Sequence, residues 1–182
     1  MDLLIHREEL VRALARAQGI VEKRPTLPIL AAVLLQATAE GVRATATDKT
    51  MTVIADYAAT VRTPGDIAVD AANFFQVAKV LSGDIVTLTV VDNGKLEVRC
   101  GASVFKLATF NAADFPVTPA LDQARSLTMA SGALRRVIDR VHFAVAPDDN
   151  RYGLNGAHVE DTSAAGGPVV RFVGTDGNRL CW

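Results

Sequence analysis

The sequence predicts an α+β protein built from a repeated module: a short strand, a helix, then three antiparallel strands. Three segments carry the apolar spacing of an amphipathic helix, and each follows a short apolar run. After each helix come strand-like runs separated by turn residues. Stacked in this way, the helices are expected on one face of antiparallel sheets.

Residues 2–5 make the first short strand. From Arg7 to Gln18, Leu10, Ala13, Leu14 and Ala17 fall at i, i+3, i+4 and i+7, with Arg12 and Arg16 on the opposite face and Gly19 as the stop. Lys23-Arg24-Pro25-Thr26-Leu27-Pro28-Ile29-Leu30 then reads as a stiff corner, because its two prolines fix φ and remove two N–H donors. Leu27, Ile29 and Leu30 seek burial while Arg24 seeks water or an anion, so a structural corner and a phosphate-holding corner both fit. Leu30–Ala39 and Gly41–Thr47 read as strands joined at Ala39-Glu40-Gly41, and Met51–Val61 as the third strand.

Thr63-Pro64-Gly65 breaks the pattern, and the order begins again. Ile67–Val69 is the short strand, Asp70 the N-cap, and Ala71–Leu81 a helix with stripe Phe74, Val77, Ala78 and Leu81 and with Lys79 off it. Ile85–Val91, Leu96–Cys100 and Val104–Thr109 follow as strands, the first two joined by the hairpin signal Asp92-Asn93-Gly94. After a linker, Phe115-Pro116-Val117-Thr118-Pro119, comes a third pass: Ser126–Met129 as a strand and Ser131 as the cap of a helix with stripe Leu134, Val137, Ile138 and Val141. Arg136 and Arg140 lie off that stripe, and strands at about Tyr152–Glu160 and Val169–Gly174 follow. The expected division is residues 1–120 as a complete two-module domain and residues 121–182 as the first half of a second. A lone module of about 60 residues buries little core and leaves a sheet edge unpaired.

The bulk composition is that of an ordinary globular chain: 49% hydrophobic, 21% charged and 5% aromatic, with net charge −1. A nucleic-acid role therefore needs local segregation of charge, and all three helices carry Lys or Arg opposite the apolar stripe, in register with the repeat. Glu8, Glu9 and Asp139 dilute those faces. Cys100 and Cys181 are isolated, the N-terminus lacks a basic leader, and no apolar run is long enough to span a bilayer, so a cytoplasmic protein without a membrane partner is expected. The nucleotide-cradling glycine loops are missing, and no nucleophile-elbow pattern frames a serine. His6, His142 and His158 lack partners at metal spacing, and Asp148-Asp149 sits in a turn-like run. No catalytic residue, metal or cofactor is therefore expected.

Four stretches together resemble the bacterial DNA polymerase III beta subunit family, the sliding clamps. They are Arg24-Pro25-Thr26-Leu27-Pro28-Ile29-Leu30, Ala112-Ala113-Asp114-Phe115-Pro116, Arg151-Tyr152-Gly153-Leu154-Asn155-Gly156 and Thr175-Asp176-Gly177-Asn178-Arg179-Leu180, in the family's order and spacing. The resemblance implies the DNA-clamp fold and a replication processivity factor. Such a factor is a non-catalytic ring that encircles double-stranded DNA without reading its sequence and tethers DNA polymerase III to the template. It implies DNA contacts at Arg24, Arg151 and Tyr152, with the helix cations Arg12, Arg16, Lys79, Arg136 and Arg140 lining the hole; Gly153 stands where the family often carries an aromatic residue. It implies a pocket at Leu154, Thr175, Asn178 and Leu180 for a short linear motif of the polymerase III catalytic subunit and the clamp loader, with Asn178 standing where His is usual. It also implies a homodimeric ring closed head to tail, to which Asn73, Leu81, Phe105 and Leu107 contribute. The second reading is a short paralogue that acts as an interaction module, capping a full-length clamp through residues 73–107.

Overall fold

The computed structural model describes residues 1–21, 26–91, 94–117, 128–146, 153–164 and 167–182. The chain divides into two units, Met1–Ala120 and Leu121–Trp182. In the first unit, one module comprises β1 (Asp2–His6), α1 (Arg7–Gln18), β2 (Ala32–Thr38), β3 (Gly41–Thr47), β4 (Thr52–Tyr57) and β5 (Ala59–Thr63). The next repeats that order as β6 (Gly65–Asp70), α2 (Ala71–Val80), β7 (Ile85–Val91), β8 (Lys95–Cys100), β9 (Ser103–Leu107) and β10 (Thr109–Phe110).

Each module has one strand more than expected. Met51–Val61, predicted as one strand, breaks at Ala58, and its halves β4 and β5 belong to different sheets. One sheet has the order β5-β1-β7-β8-β9, the other β10-β6-β2-β3-β4, and every neighbouring pair is antiparallel. The modules thus exchange their lead strands: β1 inserts between β5 and β7, and β6 between β10 and β2. Apolar pairs seal both crossings, Leu3 with Leu88 and Ile5 with Val86 at one, Val33 with Val69 and Leu35 with Ile67 at the other, all eight buried. The exchange gives the unit an internal pseudo-two-fold, and α1 packs on α2 across it. The stripe residues Leu10, Ala13, Leu14, Ala17, Phe74, Ala78 and Leu81 join both sheets in one core.

The predicted cap at Asp70 is present, its Oδ1 accepting the Asn73 N–H at 2.8 Å. The proline corner is shorter than expected: Pro28–Ala31 forms a 3-10 turn closed by Leu30 N–H to Leu27 O at 2.9 Å, so β2 starts at Ala32 rather than Leu30. Proline at the first helical position costs no hydrogen bond, which favours that turn. Leu30 is buried and Ile29 packs with Ala32, Ala68 and Phe115, whereas Leu27 stays exposed. Two of the four stretches that carry the family resemblance therefore meet in one apolar cluster. Lys23 to Pro25, the Asp92-Asn93 turn residues and Asp148-Asp149 lie outside the described residues.

The second unit holds α3 (Ser131–Val141) and a sheet of β11 (His158–Ala164), β12 (Gly167–Thr175) and β13 (Leu180–Cys181) in that order. Ser131 does not cap α3. Ala130 is the N-cap, and its carbonyl takes the Ala133 and Leu134 N–H groups at 2.9 and 3.1 Å. Of the expected strand Ser126–Met129, residues 126–127 lie outside the described residues and Thr128-Met129 carry no regular structure. The strand expected from about Tyr152 begins only at His158, after irregular backbone through Gly153–Ala157. Val141 and Ala144 are buried where α3 closes onto β12, but Leu134 and Ile138 of the same stripe remain 37% and 45% exposed.

Candidate nucleic-acid interface

The three helices can be overlaid by their apolar stripes. Leu10, Ala13, Leu14 and Ala17 of α1 correspond to Phe74, Val77, Ala78 and Leu81 at α2, and to Leu134, Val137, Ile138 and Val141 of α3. Arg12 and Arg16 then fall on the same places as Arg136 and Arg140, one turn apart and away from the stripe. On α2 those places hold Gln76 and Val80, and Lys79 coincides with Ala15 and Asp139. The expected register of cations across all three helices therefore holds for α1 and α3 only.

All five helix cations are exposed, as charge on a solvated face requires. Arg12 meets Glu9 at 3.2 Å, a surface pair of small worth that leaves the guanidinium available. Arg16 donates to the Tyr57 hydroxyl at 3.2 Å, its guanidinium 6.0 Å from the ring centroid, so the adjoining sheet steadies it. Lys79 Nζ sits 5.0 Å from the centre of the Phe75 ring. Arg24, Arg151 and Tyr152 lie outside the described residues.

In the second unit Thr175 and Leu180 are cross-strand partners of β12 and β13, flanking the turn Asp176-Gly177-Asn178-Arg179. Thr175 Oγ1 donates to Arg179 O at 2.7 Å and accepts the Gly177 N–H at 3.1 Å. Asp176 Oδ1 accepts the Asn178 and Arg179 N–H groups at 3.0 and 2.9 Å, and these bonds hold its carboxyl below the usual carboxylate range. Leu154 is partly buried and fixed through its backbone, its carbonyl accepting Ala146 N–H at 3.0 Å, while Leu180 is 62% exposed. An aromatic neighbour of this turn escaped sequence reading: Phe143, exposed, lies 5.5 Å beneath the Arg179 guanidinium. It follows the helix in a 3-10 turn, where apolar periodicity carries no signal.

Of the expected ring-contact residues, Asn73 is exposed on α2, and Phe105 and Leu107 lie half-buried on β9, the outer strand of its sheet. Leu81, at 3% exposure, belongs to the core and offers no surface. A cleft of 510 Å³ lies elsewhere, lined by Glu40, Arg43, Asp56, Tyr57 and Asp66 among others. Its Arg43–Asp56 pair, at 2.7 and 3.0 Å, neutralises itself; the guanidinium holds the Asp56 carboxyl below its ordinary range. Among the described residues no group of His, Cys, Asp and Glu could hold a metal ion, and no helix is long and apolar enough to cross a membrane.

Paired modules with exchanged lead strands and cationic helix faces define a domain of the α+β clamp class. The family described as "DNA polymerase III beta subunit, N-terminal domain" matches residues 1–119, and the chain belongs to that family. Among curated relatives, the beta sliding clamp of Caulobacter vibrioides (strain NA1000 / CB15N) is 35% identical over 182 residues, covering 99% of this chain and 49% of the relative. That of Pseudomonas aeruginosa (strain PAO1) is 38% identical over 184 residues, covering 99% and 48%. Among solved structures, Caulobacter crescentus pol III beta aligns with TM-score 0.89 at 34% identity over 99% of this chain and 49% of its own. A Bartonella birtlesii sliding clamp bound to griselimycin aligns with TM-score 0.90 at 27% identity over 99% and 48%. The chain spans about half the length of the curated relatives it matches.

Proposed function

We propose that this chain serves DNA replication as part of a sliding clamp, a non-catalytic cytoplasmic processivity factor that encircles double-stranded DNA and tethers DNA polymerase III. Residues 1–120 supply one whole clamp domain and residues 121–182 the first half of the next. The observation that carries the reading is the recurrence of Arg12 and Arg16 as Arg136 and Arg140 on the solvent side of repeated helices in a chain of net charge −1. Cations so placed make phosphate contacts, which position without reading bases. Arg24 and Lys79 in the first unit, and Arg151 and Tyr152 in the second, add further DNA contacts. Leu154, Thr175, Asn178 and Leu180 receive the short linear motif of the catalytic subunit and clamp loader, with Phe143 beside them. Asn73, Phe105 and Leu107 form one side of the head-to-tail dimer contact, where β9 is the outer strand of its sheet among the described residues.

The test is fluorescence anisotropy of the 182-residue chain with two duplexes of unrelated sequence, titrated with salt. Equal affinities are expected, and replacing Arg12, Arg16, Arg136 and Arg140 by Ala should reduce the log–log salt slope by about 0.9 per lost contact. Unchanged slopes, or a marked preference for one duplex, would count against the reading. The outer position of β9 among the described residues also favours the interaction-module reading, in which the chain caps a full-length clamp. Mixing the two and finding a heterodimer that Phe105→Asp abolishes would select it.

A further inference from the structure

We propose that Tyr57 is a positioning residue for DNA: its phenol sets the Arg16 guanidinium in place for a phosphate of the duplex backbone. The inference rests on the nucleic-acid reading of α1 and gives a role there to a side chain without charge. Tyr57 is the last residue of β4 and is 6% exposed, so its ring belongs to the core that α1 closes. Arg16 Nη1 donates to its hydroxyl at 3.2 Å, and the guanidinium carbon lies 6.0 Å from the ring centroid. A neutral acceptor takes one N–H and none of the charge, which leaves the other N–H groups of the guanidinium for phosphate oxygens. Arg12, one turn earlier, has the Glu9 carboxylate at 3.2 Å instead, a neighbour that offsets charge. A long side chain loses rotamer freedom when it binds, and one already held by a buried ring loses less.

The second module shows the same framework without the pair. By strand register, Tyr57 opposite Val42 corresponds to Leu107 opposite Leu96. By helix stripe, Arg16 corresponds to Val80. Tyr57 and Leu107 both pack on the one core, and an aliphatic side chain fills that place where no arginine stands above it. The hydroxyl therefore goes with the arginine rather than with the packing of the strand.

A double-mutant cycle in duplex anisotropy with the 182-residue chain tests this, using the parent, Tyr57→Phe, Arg16→Ala and both changes together. Tyr57→Phe keeps every charge, so the log–log salt slope should hold while affinity falls about two- to ten-fold, the worth of fixing one long side chain. Arg16→Ala should lower the slope by about 0.9, and Tyr57→Phe added to it should change nothing further. NMR relaxation of the Arg16 Nε–H group without DNA reads the positioning directly: ordered in the parent, loose in Tyr57→Phe. Phenylalanine keeps the ring, so the urea midpoints of the two should lie close, and the Nε–H comparison on folded protein decides if they do not. Unchanged affinity in Tyr57→Phe, the same loss with and without Arg16, or equally ordered Nε–H groups would each overturn the proposal. A parent chain without duplex affinity, or an Arg16→Ala variant that binds as the parent does, would instead fail the nucleic-acid reading of α1, and this inference with it.

Discussion

The sharpest contrast in the molecule is between Leu14 and Ile138, the same place in two helices with opposite surroundings. Leu14 is 0% exposed and Ile138 is 45% exposed. Full burial of such a side chain is worth about 1.5–3 kcal/mol by area, and truncation in a closed core adds a cavity, giving about 2–5 kcal/mol for Leu→Ala. Leu14→Ala should therefore cost about 3 kcal/mol. In a single chain, Ile138→Ala loses about half the transfer energy and opens no closed cavity, so it should cost about 1 kcal/mol. Urea unfolding reads both, by far-UV circular dichroism for the first unit and by the fluorescence of Trp182, the single tryptophan, for the second. If Ile138→Ala cost as much as Leu14→Ala, Ile138 would be closed off as Leu14 is, and its half-exposed place on α3 would be refuted.

Removing the cap with Asp70→Ala should lower the stability of the first unit by about 1 kcal/mol, and Asp70→Ser should restore most of it in the same urea titration. Gly174→Ala places a Cβ 2.6 Å from the Val141 carbonyl oxygen, so α3 and β12 must separate. The cost should be about 1–3 kcal/mol, read as an earlier Trp182 transition. The folded pKa of Asp176 is lowered by the Arg179 and Asn178 N–H groups, so its stabilisation is present above the unfolded carboxylate pKa and lost as pH falls through the folded value. Asp176→Asn, which can keep the turn bonds, should flatten the acid-side loss of the second unit in urea midpoints taken from neutral to acid pH.

Much of the fold was legible because helices announce themselves. Leu10, Ala13, Leu14 and Ala17 are all buried as their spacing required, and the cap at Asp70 is where a carboxylate before an apolar run belongs. The lead-strand exchange was not legible. Pairing between distant segments leaves no mark in local periodicity, and β4 and β5 look like one run because a single residue, Ala58, separates them. Leu81 shows the same limit for the site: its family position suggested surface, but its place in the stripe puts it in the core. The cationic register of α1 and α3 is visible in the residues once the stripes are aligned. Phe143, by contrast, is placed beside Arg179 only by the tertiary fold.

The exchange also bears on how the cationic faces are held. No loop separates β1 from α1 or β6 from α2: His6 runs into Arg7 and Asp70 into Ala71. Each helix therefore starts from a strand stitched into a sheet built mainly by the other module, and its direction is fixed at its first residue by ladder hydrogen bonds. Arg16 gains a further restraint from Tyr57, at the end of β4. Side chains on elements anchored in this way keep their spacing better than side chains on loops. A surface that must meet a phosphate backbone of regular pitch in any sequence needs constant spacing more than close contact. Under the same proposal protein partners have a separate surface, because β9 is an outer strand of its sheet among the described residues and so offers unpaired backbone groups. In the proposed function, helix faces for DNA and sheet edges for protein both follow from one topology, in which the strands that begin each module are spent on closing the other.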